Sequence, residues 1–302
     1  MSAPERIPPH PGVTVDEALE HGELTIHGRI PDASNAVLYA TAELAGRRVP
    51  CVYKPVAGER PLWDFPDGTL AQREVAAYEV CRALGWDAVP PTVLREGPLG
   101  TGMCQLWVGP APDEADDVDP EAVSEAVSDE DEQEGDEDGE GSPSLLALVE
   151  ADRPEPGWKA VGRAEVGEGR TALLVHADDD RLRRIAALDA VINNGDRKGG
   201  HLLPLPDGRL YGIDHGVTFH TEDKLRTLLW GWAGEPLPTA VLTALRGLQA
   251  ELADDRPLFA RLLTLLTEAE CRALRDRTAA LLSSGRHPLP GGEWPAIPWP
   301  LV

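Results

Sequence analysis

Between residues 23 and 54 apolar and polar positions alternate in three short runs, 23–30, 35–44 and 47–54. A period of two is the mark of half-buried strands, and Pro31-Asp32-Ala33-Ser34 and Ala45-Gly46 supply turn residues between them. Three antiparallel strands are therefore predicted. After a Pro/Gly-rich connector over 55–67, residues 69–84 read as a helix with Asp67 as N-cap and Gly85 as its C′ stop. Residues 92–95 and 104–108 read as two further strands, so a small β-rich lobe with one helix is expected to end near Pro110. Beyond Ser142 the pattern turns helical. A short helix is predicted over 144–151, and a stronger one over 181–192 with Leu182, Ile185, Leu188 and Ile192 on one face. A loop and hairpin over 193–219 precede helices near 224–232, 238–253, 257–266 and 268–284. The expected organisation is a loose lead-in (1–22), a β-rich lobe (23–110), an insertion (111–142), a mostly helical lobe (143–286) and a Pro/Trp-rich tail (287–302).

Charge changes this picture in one place. The 302 residues carry 52 Asp and Glu against 28 Lys and Arg, a net charge of −24. Sixteen of those acids fall in 113–140, which has no Lys or Arg, leaving −8 for the rest. The run lacks aromatic residues and cannot bury enough surface to offset its ordering entropy, so it is expected to be disordered, a candidate arm for a protein partner. A uniformly acidic surface would repel nucleic-acid phosphates and no nucleic-acid partner is expected, although most of the acidity is this local run and says little about the partner. Hydrophobic residues at 42% are ordinary for a globular chain. No stretch approaches the ~18 apolar residues of a membrane span, and the amino end has no signal-like apolar core. Cys51, Cys81, Cys104 and Cys271 form no CxxC pair, which points to neither zinc knuckle nor disulfide framework but to a reducing, cytoplasmic setting.

Four features then carry chemistry. Lys54 ends the third strand, where its ammonium can be aimed into a cleft rather than along the surface. Glu74 lies on the following helix, sharing a face with Tyr78 and Cys81, and can hold Lys54 in place. The sharpest is the run Ile192-Asn193-Asn194-Gly195-Asp196-Arg197-Lys198-Gly199-Gly200-His201, an apolar helix entering a loop dense in polar groups. Finally Tyr211-Gly212-Ile213-Asp214-His215-Gly216 ends a strand in Asp-x-Gly, one hairpin later. A strand lysine, a helix glutamate and two carboxylates in this order are the parts of phosphoryl transfer from ATP with a divalent metal.

The loop Asn194–Leu202 resembles the catalytic loop of the phosphatidylinositol 3- and 4-kinases, closest to the type II 4-kinases, and Ile213-Asp214-His215-Gly216 resembles their metal-binding Asp-x-Gly. Tyr53-Lys54-Pro55 and Arg73-Glu74-Val75-Ala76-Ala77-Tyr78 look like the small-lobe strand and helix of that superfamily, in a bacterial branch related to these kinases. The resemblance implies an α+β, two-lobed, atypical protein-kinase-like fold and an ATP-dependent phosphotransferase acting on an unidentified hydroxyl acceptor. It further implies that Lys54 contacts the ATP phosphates with Glu74 as its anchor, that Asp196 is the catalytic base and that Asp214 is a metal ligand. Trp107 and Val108 would flank the adenine, and the turn with Ser34 would cover the phosphates. Arg197 and Lys198, beside the base, would favour an anionic substrate or stabilise the transferring charge.

One position departs from that pattern. His201 stands where the family has an asparagine that gives its amide oxygen to the metal. Mg²⁺ prefers oxygen and imidazole suits softer ions, so His201 binds Mn²⁺ or a similar ion, Asn193 or Asn194 replaces it, or the site is impaired. Two other readings follow: a nucleotide-binding pseudokinase acting as a switch or scaffold, and a relative that transfers AMP. In the segment 220–230, Lys224 and Arg226 are offset by Glu222 and Asp223, which does not favour an inositol-lipid headgroup.

Overall fold

The computed structural model describes residues 12–30, 36–60, 62, 64–65, 70–112, 145–165, 170–291 and 295–301. The expected turn with Ser34, the Asp67 cap and the acidic run 113–140 lie outside the described residues. The chain divides into two compact units, 1–78 with 90–135, and 79–89 with 136–302.

In the first unit a helix, α1 (Val15–His21), precedes five antiparallel strands: β1 (Glu23–Arg29), β2 (Leu38–Leu44), β3 (Arg47–Pro55), β4 (Thr92–Gly97) and β5 (Gly100–Leu106), in the spatial order β1-β2-β3-β5-β4. Helix α1 replaces the end of the expected loose lead-in. Its start is a capping box, with the Thr14 hydroxyl accepting from Glu17 N–H and the Glu17 carboxylate accepting from Thr14 N–H. The apolar signal is short because only Ala18 and Leu19 are buried, against one face of the sheet with Leu38, Ala40, Ala42, Val49, Cys51, Tyr53 and Cys104. The β2–β3 hairpin turns on Ala45 (φ 48°) and Gly46 (φ 80°), the two left-handed residues that a type I′ turn requires. Since alternate residues of a strand face opposite ways, Val49, Cys51 and Tyr53 of β3 take the α1 face, and Val52 and Lys54 take the other.

Helix α2 (Leu70–Ala83) matches the expected helix, and Gly85 ends it at φ 70°. The division between units falls within it, after Tyr78.

The second unit contains β6 (Leu146–Val149), β7 (Trp158–Glu165) and β8 (Thr171–Ala177) in the order β6-β8-β7, then α3 (Asp180–Ile192) and the hairpin β9 (Leu202–Pro204) and β10 (Leu210–Gly212). Helices α4 (Thr239–Glu251), α5 (Pro257–Leu262) and α6 (Glu268–Ser284) follow. Two expectations are corrected here. Residues 146–149 form an edge strand rather than the middle of a helix over 144–151, because β8 offers a ladder from Leu146↔His176 to Val149↔Leu173. Residues 224–232 are not a helix; only 230–232 make a 3₁₀ turn. Their backbone N–H groups are taken elsewhere, Arg226 N by Asn194 O (2.9 Å), Thr227 N by Ala296 O (3.1 Å) and Leu228 N by Arg197 O (3.3 Å). The second unit is thus less helical than expected, but the overall α+β character holds. Among the described residues no helix is long and apolar enough to cross a membrane.

His287 packs beside Trp232, and its Nε2 accepts from Arg183 Nε (3.3 Å). Burial and the Arg183 charge push its pKa down to about 4, against an opposing pull from Glu235. The native state therefore holds it neutral, whereas the unfolded chain protonates it below about 6.5. Its contribution is complete above pH 6.5 and is lost as pH falls toward 4. Urea midpoints should drop across that window, and His287→Gln should flatten the drop.

Candidate functional site

In the first unit Lys54 Nζ meets Glu74 Oε1 at 2.7 Å, with the Glu74 side chain 2% exposed. The pair forms because β3 presents Lys54 on the face away from α1, while α2 presents Glu74. Glu59 secures the helix, its two carboxylate oxygens accepting from Leu70 N (2.9 Å) and Ala71 N (2.8 Å). That distant carboxylate is a cap that sequence reading did not identify. Trp107 follows β5, with its N–H on Pro50 O (2.9 Å), its indole N–H on Pro110 O (2.8 Å) and its ring edge-on to Tyr39. Val108 is half-buried beside it. Ser34 lies outside the described residues.

The second unit brings Asp196, His201 and Asp214 into one neighbourhood. Helix α3 buries Leu182, Ile185, Leu188 and Ile192 as the periodicity predicts and is capped at its start by Asp179. It ends on Asn193 in the left-handed conformation (φ 54°). The Asn193 amide donates to His220 O (2.9 Å) and Glu222 O (2.6 Å) and accepts from Lys224 N (3.0 Å). Asn194 is fully buried; it donates to Asp189 Oδ1 (3.0 Å) and accepts from Asp196 N (2.9 Å). Both asparagines spend their amides on shaping the loop, which leaves His201 as the nitrogen donor beside Asp214.

Asp196 keeps 27% of its side chain exposed and lies 3.6 Å from Lys198 Nζ. Burial raises its pKa, Lys198 opposes that, and the nearby Asp214 charge adds to the rise. Asp214, at φ 57°, is 48% exposed and sits 3.4 Å from His201 Nε2. Burial pushes His201 down to about 4, with Arg197 and Lys198 adding to the shift and Asp214 resisting it, so the ring is neutral at pH 7. Lys198 N–H donates to its Nδ1 (3.3 Å).

Arg197 does not take the substrate-facing position expected of it. It is fully buried, and its guanidinium donates to Asp189 (Nε to Oδ2 3.1 Å, Nη2 to Oδ1 3.0 Å), to Ile213 O (2.8 Å) and to His215 Nε2 (2.7 Å). A guanidinium only donates, so His215 accepts at Nε2 and carries its proton on Nδ1. Thr227 Oγ1 completes the cluster at 3.4 Å from Asp189 Oδ2. Asp189 and His215 are the residues that sequence reading passed over. The signal was present: Asp189 lies four residues after Ile185 and seven after Leu182, a carboxylate inside the apolar stripe. Lys224 is likewise buried, and Arg226 reaches Ile297 O (3.4 Å).

Among the described residues no three His, Cys, Asp or Glu side chains group to hold a metal by themselves. His201 and Asp214 are two adjacent donors, one imidazole nitrogen and one carboxylate, a set that suits Mn²⁺ better than Mg²⁺.

A known structure shares the fold at low sequence identity. The structure of hydra Fam20 with sugar superposes with a TM-score of 0.51 at 14% identity, covering 89% of this chain and 86% of that one. A crystal structure of the Golgi casein kinase with Mn/ADP bound gives a TM-score of 0.49 at 14% identity, over 88% and 73%. The fold is protein-kinase-like. No family model matches the sequence. One curated relative, Protein Rv2133c of Mycobacterium tuberculosis (strain ATCC 25618 / H37Rv), is 49% identical over 282 residues, 93% of each chain. With that identity sustained along nearly the whole of both sequences, the protein belongs to the family of Protein Rv2133c.

Proposed function

We propose that the protein is an ATP- and divalent-metal-dependent phosphotransferase, related to the phosphatidylinositol 3- and 4-kinases, that moves the γ-phosphoryl group to a hydroxyl acceptor. The observation that carries this reading is the Lys54–Glu74 pair at 2.7 Å, its carboxylate buried and its ammonium part-exposed, in a chain of kinase-like fold. An ammonium fixed by a buried carboxylate is a preset donor to nucleotide phosphate oxygens. Trp107 and Val108 flank the adenine in this reading. Asp196 accepts the proton of the attacking hydroxyl as its oxygen bonds to phosphorus and the bond to the β-phosphate oxygen breaks. Its raised pKa suits that task, since a base works best with a pKa near the working pH. Asp214 and His201 are the residues that would hold Mg²⁺ or Mn²⁺, which when bound neutralises phosphate charge. Arg197 acts through the loop backbone and not on the substrate.

The test is nucleotide binding and turnover by the purified protein. ATP should raise the melting temperature in the presence of Mg²⁺ or Mn²⁺, and Lys54→Met should remove most of that rise. An unchanged ATP response in Lys54→Met would sink the assignment of Lys54. The pseudokinase reading is favoured by His201, a nitrogen donor in the place of an amide oxygen. It would be selected if ATP stabilises the protein but neither ADP nor a phosphorylated acceptor forms with either metal.

A further inference from the structure

The geometry points to the carboxy-terminal segment 296–301 as the element that positions the catalytic loop, an inference that rests on the phosphotransferase reading for its functional consequence. Three stretches of chain lie side by side in the second unit. The first is the loop itself. The second is the segment 226–230, joined to the loop by Arg197 N on Arg226 O (3.0 Å) and Leu228 N on Arg197 O (3.3 Å), an isolated parallel bridge between Arg197 and Thr227. The third is the tail. Its Ala296 carbonyl accepts from Thr227 N (3.1 Å) and from the Trp230 indole Nε1 (2.7 Å), and Ile297 O lies 3.4 Å from Arg226 Nη2. Further on, Leu301 O accepts from Gly199 N at 2.8 Å.

That last bond falls at a sensitive place. Gly199 opens the 3₁₀ turn 199–201 that carries His201 toward Asp214, and it stands three residues after Asp196. The amides at the start of a helical turn have no partner within the turn, so Leu301 O supplies one that the loop cannot. The tail is itself seated: Pro298 is buried, and Ile297 Cδ1 approaches Gly162 of β7 closely enough that a Cβ there would meet it at 3.6 Å. The strap is therefore held on the β7–β8 side and holds the loop on the other. It acts through backbone carbonyls, so its residues position others and touch no substrate. A ligand or partner that lifts it would loosen Asp196 and His201 together.

The experiment compares the full chain with a truncation after residue 294 and with Ile297→Asp, which unseats the tail without altering the loop. Amide hydrogen exchange should rise for 196–201 and 226–230 in both variants and stay unchanged in α4. Turnover should fall by about 10²-fold in kcat, the cost of roughly 1 Å of misplacement, with KM for ATP shifted less than about twofold. A peptide of residues 288–302 supplied at millimolar concentration, on the order of that of a short tether, should restore part of the turnover to the truncation. Unchanged exchange at 196–201 in Ile297→Asp overturns the inference, as does raised exchange with an equal rise in α4, which would mean general destabilisation. If exchange rises locally but even the full chain turns over no ATP, the strap stands and the phosphotransferase reading falls.

Discussion

Asp196→Asn should abolish phosphoryl transfer while leaving the protein folded and its affinity for ATP intact. General-base assistance is worth about 10²–10⁴-fold in rate, and the amide keeps the size of the carboxylate while losing its ability to take a proton. The Asp196 backbone N–H donates to Asn194 Oδ1 (2.9 Å) and its carboxylate pairs with Lys198 Nζ at 3.6 Å, so the substitution keeps the backbone tie and gives up only the pairing with Lys198. Single-turnover assays should show the loss in the chemical step, with the ATP-induced rise in melting temperature unchanged. The pH profile of the wild type adds a signed check. Burial and Asp214 lift the Asp196 pKa above the ordinary carboxylate value in the free protein, so the acidic limb of kcat/KM should lie above the ~3.9 of a free aspartate. A wild-type limb at or below that value, or an Asp196→Asn enzyme of normal rate, would remove Asp196 from the chemistry.

The largest effect on stability is expected from Asp189→Ala. Removing one partner of a buried ion pair strands the other, at a cost of about 3–5 kcal/mol. Here the stranded group is the Arg197 guanidinium, fully buried and still tied to Ile213 O and His215 Nε2. Asn194 and Thr227 lose a partner by the same change. A loss of that size lowers the melting temperature by roughly 10 °C in a chain of this length. Replacing both members, Asp189→Leu with Arg197→Met, should cost much less than the sum of the single changes, because neither charge is then left uncompensated. Additive losses in that double-mutant cycle would show that the pair is not the coupling element.

The strands of the first unit were legible because each buries one face and exposes the other, which writes a period of two into the residues. Helices α3, α4 and α6 were legible for the matching reason, an apolar stripe at helical spacing. The misses share a physical cause. Strand β8 is buried along almost all of its length, so its run Ala172-Leu173-Leu174-Val175 carries no alternation, and the edge strand β6 is defined only by pairing with it. Residues 224–232 have helical apolar spacing, but their amides are claimed by Asn194, Arg197 and Ala296, partners between 31 and 69 residues away in the chain. Pairings of that kind leave no trace in a local window. The site divides in the same way. Residue type and order marked out Lys54, Glu74, Asp196 and Asp214, and the structure sets Lys54 against Glu74 and Asp196 near Asp214. The inward turn of Arg197 was not legible, since its partner Asp189 had been read only as part of a helix.

The carboxylate of Glu59 has a consequence for where a phosphate can bind. The first free amides of a helix, with the partial positive charge of its dipole, form a ready receptor for phosphoryl oxygens. On α2 an internal anion already satisfies the amides of Leu70 and Ala71. A triphosphate would have to evict this resident charge to dock there, so under the proposed function the ammonium of Lys54, rather than the main-chain dipoles of that helix, would meet the phosphates.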